Sequence, residues 1–115
     1  MAIRKANVSM NNRLAKISTL VQSQAPGLSA QAFSIYMLVA REQTMSLKRL
    51  SSELEVSQAE VMRAVAELSA WELEGQRGAG LVRIKETGSL KKEVLLSDKG
   101  QRLKEKIERV INPKH

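Results

Sequence analysis

Apolar positions along the chain fall into helical stripes broken by one alternating stretch. Leu47, Leu50 and Leu54 stand at i, i+3 and i+7, and Val61, Val65 and Leu68 stand at i, i+4 and i+7, so each set lies on one face of a 3.6-residue helix. Upstream, Leu14, Ile17, Leu20 and Val21 mark a first helix over 8–24 that Pro26-Gly27 stops, and Ser29 opens a second helix holding Phe33, Tyr36, Met37 and Ala40. The second helix is apolar nearly all round, which makes it central. Near the other end, Ser97 caps a helix over 98–111 whose Leu103, Ile107, Val110 and Ile111 line one side, while Lys104, Lys106, Glu108 and Arg109 face water.

The two middle helices read as a helix-turn-helix over 46–71. Ser57 precedes Gln58-Ala59-Glu60, so its hydroxyl can accept from the Glu60 amide while the Glu60 side chain reaches back to Ser57, a capping box that starts the second helix. With Val61, Val65 and Leu68 turned inward, Ala59, Arg63, Ala66 and Ala70 point outward, flanked by Met62 and Gln58, with Ser57 at the cap. A face so small can sink into a groove about 12 Å wide, where Gln58 and Arg63 reach purine edges and alanine methyls meet thymine. Packing against another helix would use the same alanines.

The alternating stretch decides between these. In GLVRIKETGSLKKEVLLSDKG, residues 80–100, Val82 and Ile84 alternate with Arg83 and Lys85, and Val94 and Leu96 supply a return strand. A two-residue turn at Gly88-Ser89 would set Ile84 opposite Glu93; a three-residue loop, Gly88 to Leu90, sets Ile84 opposite Val94 and Val82 opposite Leu96. The second register also places Lys85 across from Glu93 and Glu86 across from Lys92, pairs worth roughly 0.2–1 kcal/mol each. The tip of this hairpin, a wing over 81–96, then carries Gly88, Ser89, Lys91 and Lys92. The predicted fold is mainly α with a small β-hairpin: a winged helix-turn-helix spanning 1–115 as a single domain.

The segments SQAEVMRAVAEL, GLVRI and LLSDKGQRLKEKI, in an order of long first helix, second helix, helix-turn-helix, wing and closing helix, resemble the MarR-type (multiple antibiotic resistance regulator) winged-helix repressors over roughly residues 7–111. The resemblance implies a regulator of transcription that binds double-stranded DNA. Two positions depart from the family pattern: its wing arginine falls near Leu90, leaving Lys91 and Lys92 as the nearest cations, and one C-terminal helix stands where the family usually has two. The family's effector pocket lies between the dimer helices and the DNA-binding lobe; one Phe, one Tyr and one Trp offer it little aromatic lining here, and no effector is assigned.

The net charge of +7 is unevenly spread. Residues 1–24 carry Arg4, Lys5, Arg13 and Lys16 without an acid, residues 40–75 carry four basic and seven acidic residues, and residues 76–106 carry nine basic and four acidic. Phosphate attraction must therefore come from the wing (Arg83, Lys85, Ser89, Lys91, Lys92), its glycine-rich approach with Arg77, and the N-terminal segment. Gly75, Gly78 and Gly80 in that approach read as a flexible connector. Glu60 and Glu67 stand at i−3 and i+4 to Arg63, close enough to pair with it on the free helix.

Neither terminal stripe is needed to cover so small a core, so Leu14, Ile17 and Val21 with Leu103, Ile107 and Val110 are predicted to meet their counterparts in a second copy, which would set two recognition helices about one DNA turn apart. Catalysis finds no support: no glycine-rich phosphate loop is present, and His115, the single histidine, leaves no Ser/His/Asp set. Without cysteine no thiolate metal site forms, and neither metal nor cofactor is expected. Met1 to Ala25 has neither a signal-peptide core nor a membrane span, so the expected location is the cytoplasm, on the nucleoid. Two other uses of the same module are a plasmid or phage replication or partition factor, and a protein-interaction winged helix favoured by the acidic middle of the chain.

Overall fold

The computed structural model describes residues 2–69, 72–73, 76–86 and 91–112, with side chains over 10–69, 78–86 and 91–112. Among the described residues five helices and the strands of two small sheets follow one another as α1 (Ala2–Gln24), α2 (Ala30–Glu42), β1 (Thr44–Ser46), α3 (Leu47–Leu54), α4 (Gln58–Leu68), β2 (Glu72–Leu73), β3 (Gln76–Arg77), β4 (Val82–Glu86), β5 (Lys92–Leu96) and α5 (Asp98–Ile111). Serine caps open α2 to α5. The hydroxyls of Ser29, Ser46, Ser57 and Ser97 accept from the amides of Ala32, Arg49, Glu60 and Gly100 at 3.0–3.1 Å, each cap being worth about 0.5–2 kcal/mol. At α4 the box is complete, since the Ser57 amide donates to Glu60 Oε2 at 3.1 Å.

The turn between α3 and α4 is made by Glu55, whose φ of 55° and ψ of 44° place it in the left-handed region. Its amide donates to Ser51 and Ser52 carbonyls, and the Ser51 hydroxyl donates to the Val56 carbonyl, so the last carbonyls of α3 are satisfied before the chain turns.

The wing has the anticipated register. Val82 faces Leu96, Ile84 faces Val94, Lys85 faces Glu93 and Glu86 faces Lys92. A third strand joins it: β1 pairs with β5, giving the order β1-β5-β4, with Met45 opposite Val94. Three residues between two helices carry too short an alternation to read as a strand. Met45 and Val94 are both buried, and that burial holds β1 in place.

Two sequence expectations are corrected at the end of α4. The helix stops at Leu68 and not at Trp71, because Ser69 is extended and the returning chain takes the last-turn carbonyls. Ala79 N donates to Glu67 O at 2.7 Å, Gly80 N to Ser69 O at 3.1 Å and Leu81 N to Leu68 O at 2.6 Å. The glycine-rich approach is therefore pinned along Gly78–Leu81, and is no flexible connector there. A Cβ on Gly78 would lie 1.9 Å from the Ser69 carbonyl oxygen, while Gly80 has a φ of 73°. The approach also contains the short β2–β3 pair, Glu72 opposite Arg77.

The core gathers Ile35, Tyr36 and Val39 of α2, Leu50 of α3, Val61, Val65 and Leu68 of α4, Leu81, and Val94 of β5. It also takes Val21, Leu103 and Ile107, all buried in this chain alone, which corrects their assignment to a stripe left open for a second copy. The C-terminal part of α1 lies on α5, and those three side chains fill that contact. Ile17 and Val110 are half-buried, whereas residues 10–16 of α1 are exposed throughout. Of the predicted stripe, Leu14 stays open at 57%, and Met10 at 61% and Ile111 at 50% join it.

Candidate nucleic-acid interface

The capping box fixes where α4 begins and the Val61, Val65 and Leu68 stripe fixes which side turns inward. Ser57, Gln58, Ala59 and Arg63 are exposed as a result, and Met62 is half-buried beside them. Ala66 departs from the expected face: it is only 7% exposed. The chain returning from β3 crosses the last turn of α4, so that a Cβ on Gly78 would come within 2.6 Å of the Ala66 carbonyl oxygen. The outward face is confined to the first two turns.

Arg63 sits in that face without the carboxylates the sequence placed beside it. Glu60 is engaged by the Ser57 amide, and Glu67 accepts from the Ser29 hydroxyl at 2.8 Å and the Ser29 amide at 3.2 Å. Among the described residues the Arg63 side chain makes no ion pair or hydrogen bond, which corrects the expected competition for its guanidinium. The arginine of α3 behaves oppositely: Arg49 is engaged by Glu42 at 3.3 Å and Glu53 at 3.9 Å. Exposed pairs of this kind contribute roughly 0.2–1 kcal/mol.

On the wing, Arg83, Lys85 and Lys91 are exposed, while Lys92 is half-buried in register with Glu86. Ser89, with the rest of residues 87–90, lies outside the described residues, as do Ala70 and Trp71 and the Arg77 side chain. Lys99 makes a tertiary contact that the sequence does not announce. Its ammonium donates to Ala79 O at 2.9 Å and to Gln24 O at 3.3 Å, tying the base of the wing to the end of α1. A cation in the first turn of a helix opposes the helix dipole, and that misplacement was the available signal of a specific partner.

Among the described residues no three His, Cys, Asp or Glu side chains are grouped to hold a metal ion, and no helix is long and apolar enough to cross a membrane.

A capped helix-turn-helix whose second helix opens outward, backed by a three-stranded wing, defines the winged-helix class. No family model matches the chain, and no curated protein is similar to it in sequence. Solved structures are similar. A MarR transcriptional regulator from Methanosarcina mazei Go1 superposes with a TM-score of 0.65 at 19% identity, over 96% of this chain and 75% of that one. NadR in complex with 4-hydroxyphenylacetate gives 0.63 at 14%, over 99% and 75%, and reduced AbfR bound to DNA gives 0.60 at 17%, over 97% and 80%. At such identities the likeness is one of fold: the chain has the winged-helix fold of MarR-type regulators.

Proposed function

We propose that this chain is a sequence-specific double-stranded DNA-binding protein that regulates transcription as a homodimer, acting by occupying a two-fold operator as a repressor. The observation that carries the reading is the Arg63 guanidinium, unpaired among the described residues, on the exposed first two turns of α4 that also carry Gln58 and Ala59. Its geometry suits a bidentate contact to a guanine edge, with Gln58 matched to adenine. Arg83, Lys85 and Lys91 on the wing supply phosphate attraction beside it. Residues 1–115 act as one domain in this reading, working in the cytoplasm on the nucleoid. AbfR, one of the structures similar in fold, was solved on DNA.

A second copy is favoured by the exposure of the large apolar side chains Met10 and Leu14 on α1 and Ile111 on α5, which a partner surface would take out of water. The two-fold arrangement would then hold two α4 helices one turn of DNA apart, about 34–36 Å.

The test is selection of bound duplexes from a random library, followed by titration of parent and Arg63→Ala on the selected site. Arg63→Ala should lose about 1–3 kcal/mol and relax the preference at one base pair. A parent that enriches no sequence ends the reading.

A further inference from the structure

Ser29 caps α2 without the acid that a capping box needs, because the third position of the helix is Ala32. The missing carboxylate comes from α4. Ser29 Oγ accepts from the Ala32 amide at 3.1 Å and donates to Glu67 Oε2 at 2.8 Å, and the Ser29 amide donates to Glu67 Oε1 at 3.2 Å. Glu67 thus fills, from 38 residues away, the place that Glu60 fills locally for Ser57. Both carboxylates within a helical turn of Arg63 are bound to serine N-caps.

We infer that Ser29 is a positioning residue for DNA recognition, which keeps Arg63 available by holding Glu67 away from it; this rests on the reading of α4 as the recognition helix. Glu67 stands at i+4 from Arg63, the spacing at which an acid and a base on one helix pair. Nothing but the Ser29 contact occupies the Glu67 carboxylate among the described residues. Remove the hydroxyl, and the shorter of its two bonds goes; the carboxylate then turns to the guanidinium on its own helix face. Ser29 meets α4 at Glu67 in its last turn, away from the Ser57-capped end that carries Gln58 and Ala59.

The experiment compares parent, Ser29→Ala, Ser29→Thr, Glu67→Gln and the double variant Ser29→Ala/Glu67→Gln, full-length, well below their unfolding temperatures. On a duplex selected by the parent, Ser29→Ala should weaken binding about two- to fivefold, the range that one exposed ion pair is worth. Ser29→Thr, which keeps cap and donor, should bind like the parent. The double variant should recover parental affinity, because a neutral side chain at 67 has no hold on Arg63. A role confined to stability would leave the double variant as weak as Ser29→Ala or weaker, and that result overturns the inference. A second readout needs no DNA: the Arg63 Nε–Hε resonance should shift in Ser29→Ala and return in the double variant. An unmoved resonance overturns the inference by itself, whereas a shift in Ser29→Ala together with a parent that binds no duplex removes only the reading of function.

Discussion

The Tyr36 hydroxyl donates to the Gly100 carbonyl at 2.7 Å, joining the middle of α2 to the first turn of α5 across 64 positions of sequence. Tyr36 is wholly buried, so the ring fills the core while its single polar atom is satisfied. Burial first, and the nearby Glu108 charge second, push the Tyr36 hydroxyl well above its ordinary range.

The pH dependence of folding follows from that direction. The neutral phenol is favoured in the folded state, so its contribution is complete below the unfolded value of about 10 and is lost as pH climbs beyond it. Tyr36→Phe should cost about 0.5–1.5 kcal/mol near neutrality. Urea unfolding between neutral pH and the alkaline range should show parental stability falling towards that of Tyr36→Phe as pH rises, the difference between them shrinking.

Gly100 gives a prediction whose sign opposes helix propensity. Alanine inside a helix is favoured over glycine by about 0.8–1 kcal/mol, yet a Cβ on Gly100 would stand 2.0 Å from the Leu81 carbonyl oxygen. Backbone cannot yield as a flexible side chain can. Gly100→Ala should therefore destabilise by about 2–4 kcal/mol, read from the shift in denaturation midpoint; a stabilised variant would mean α5 does not abut Leu81.

Association can be separated from folding by choice of residue. Ile107 is buried in its own chain, so Ile107→Glu should unfold the protein and report nothing about a second copy. Leu14 is 57% exposed, and Leu14→Glu should keep the helical circular dichroism of the parent. In sedimentation equilibrium at micromolar concentration the parent should be dimeric and Leu14→Glu shifted toward monomer. A monomeric parent would leave the two-fold operator without support.

The two wing lysines should differ. Lys91 is exposed, whereas Lys92 is half-buried and in register with Glu86. Lys91→Ala should weaken binding to all sequences and lower the slope of log K against log salt by roughly 0.9 if one phosphate contact is lost. Lys92→Ala should change the slope less. Fluorescence anisotropy across a salt series distinguishes them, and an unchanged slope in both would remove the wing from the interface.

Local rules were legible in the sequence. Serine caps at 29, 57 and 97, the capping box, the span of α5 and the wing register all follow from interactions within a few residues or between paired strands, where spacing alone decides the partner. The register was readable because a one-residue slip would have set Ile84 against Glu93. Three features were decided only by the tertiary fold. Ala66 and Ala59 are the same residue type on the same helix, and what separates them is the segment Gly78–Leu81 lying over the last turn of α4. Leu14 and Val21 belong to one stripe, but only the latter reaches the core beneath α5. Glu67 was readable as a neighbour of Arg63 and not as the partner of Ser29, because helical spacing reports what a side chain can reach along its own helix and is silent about a competing donor 38 residues away.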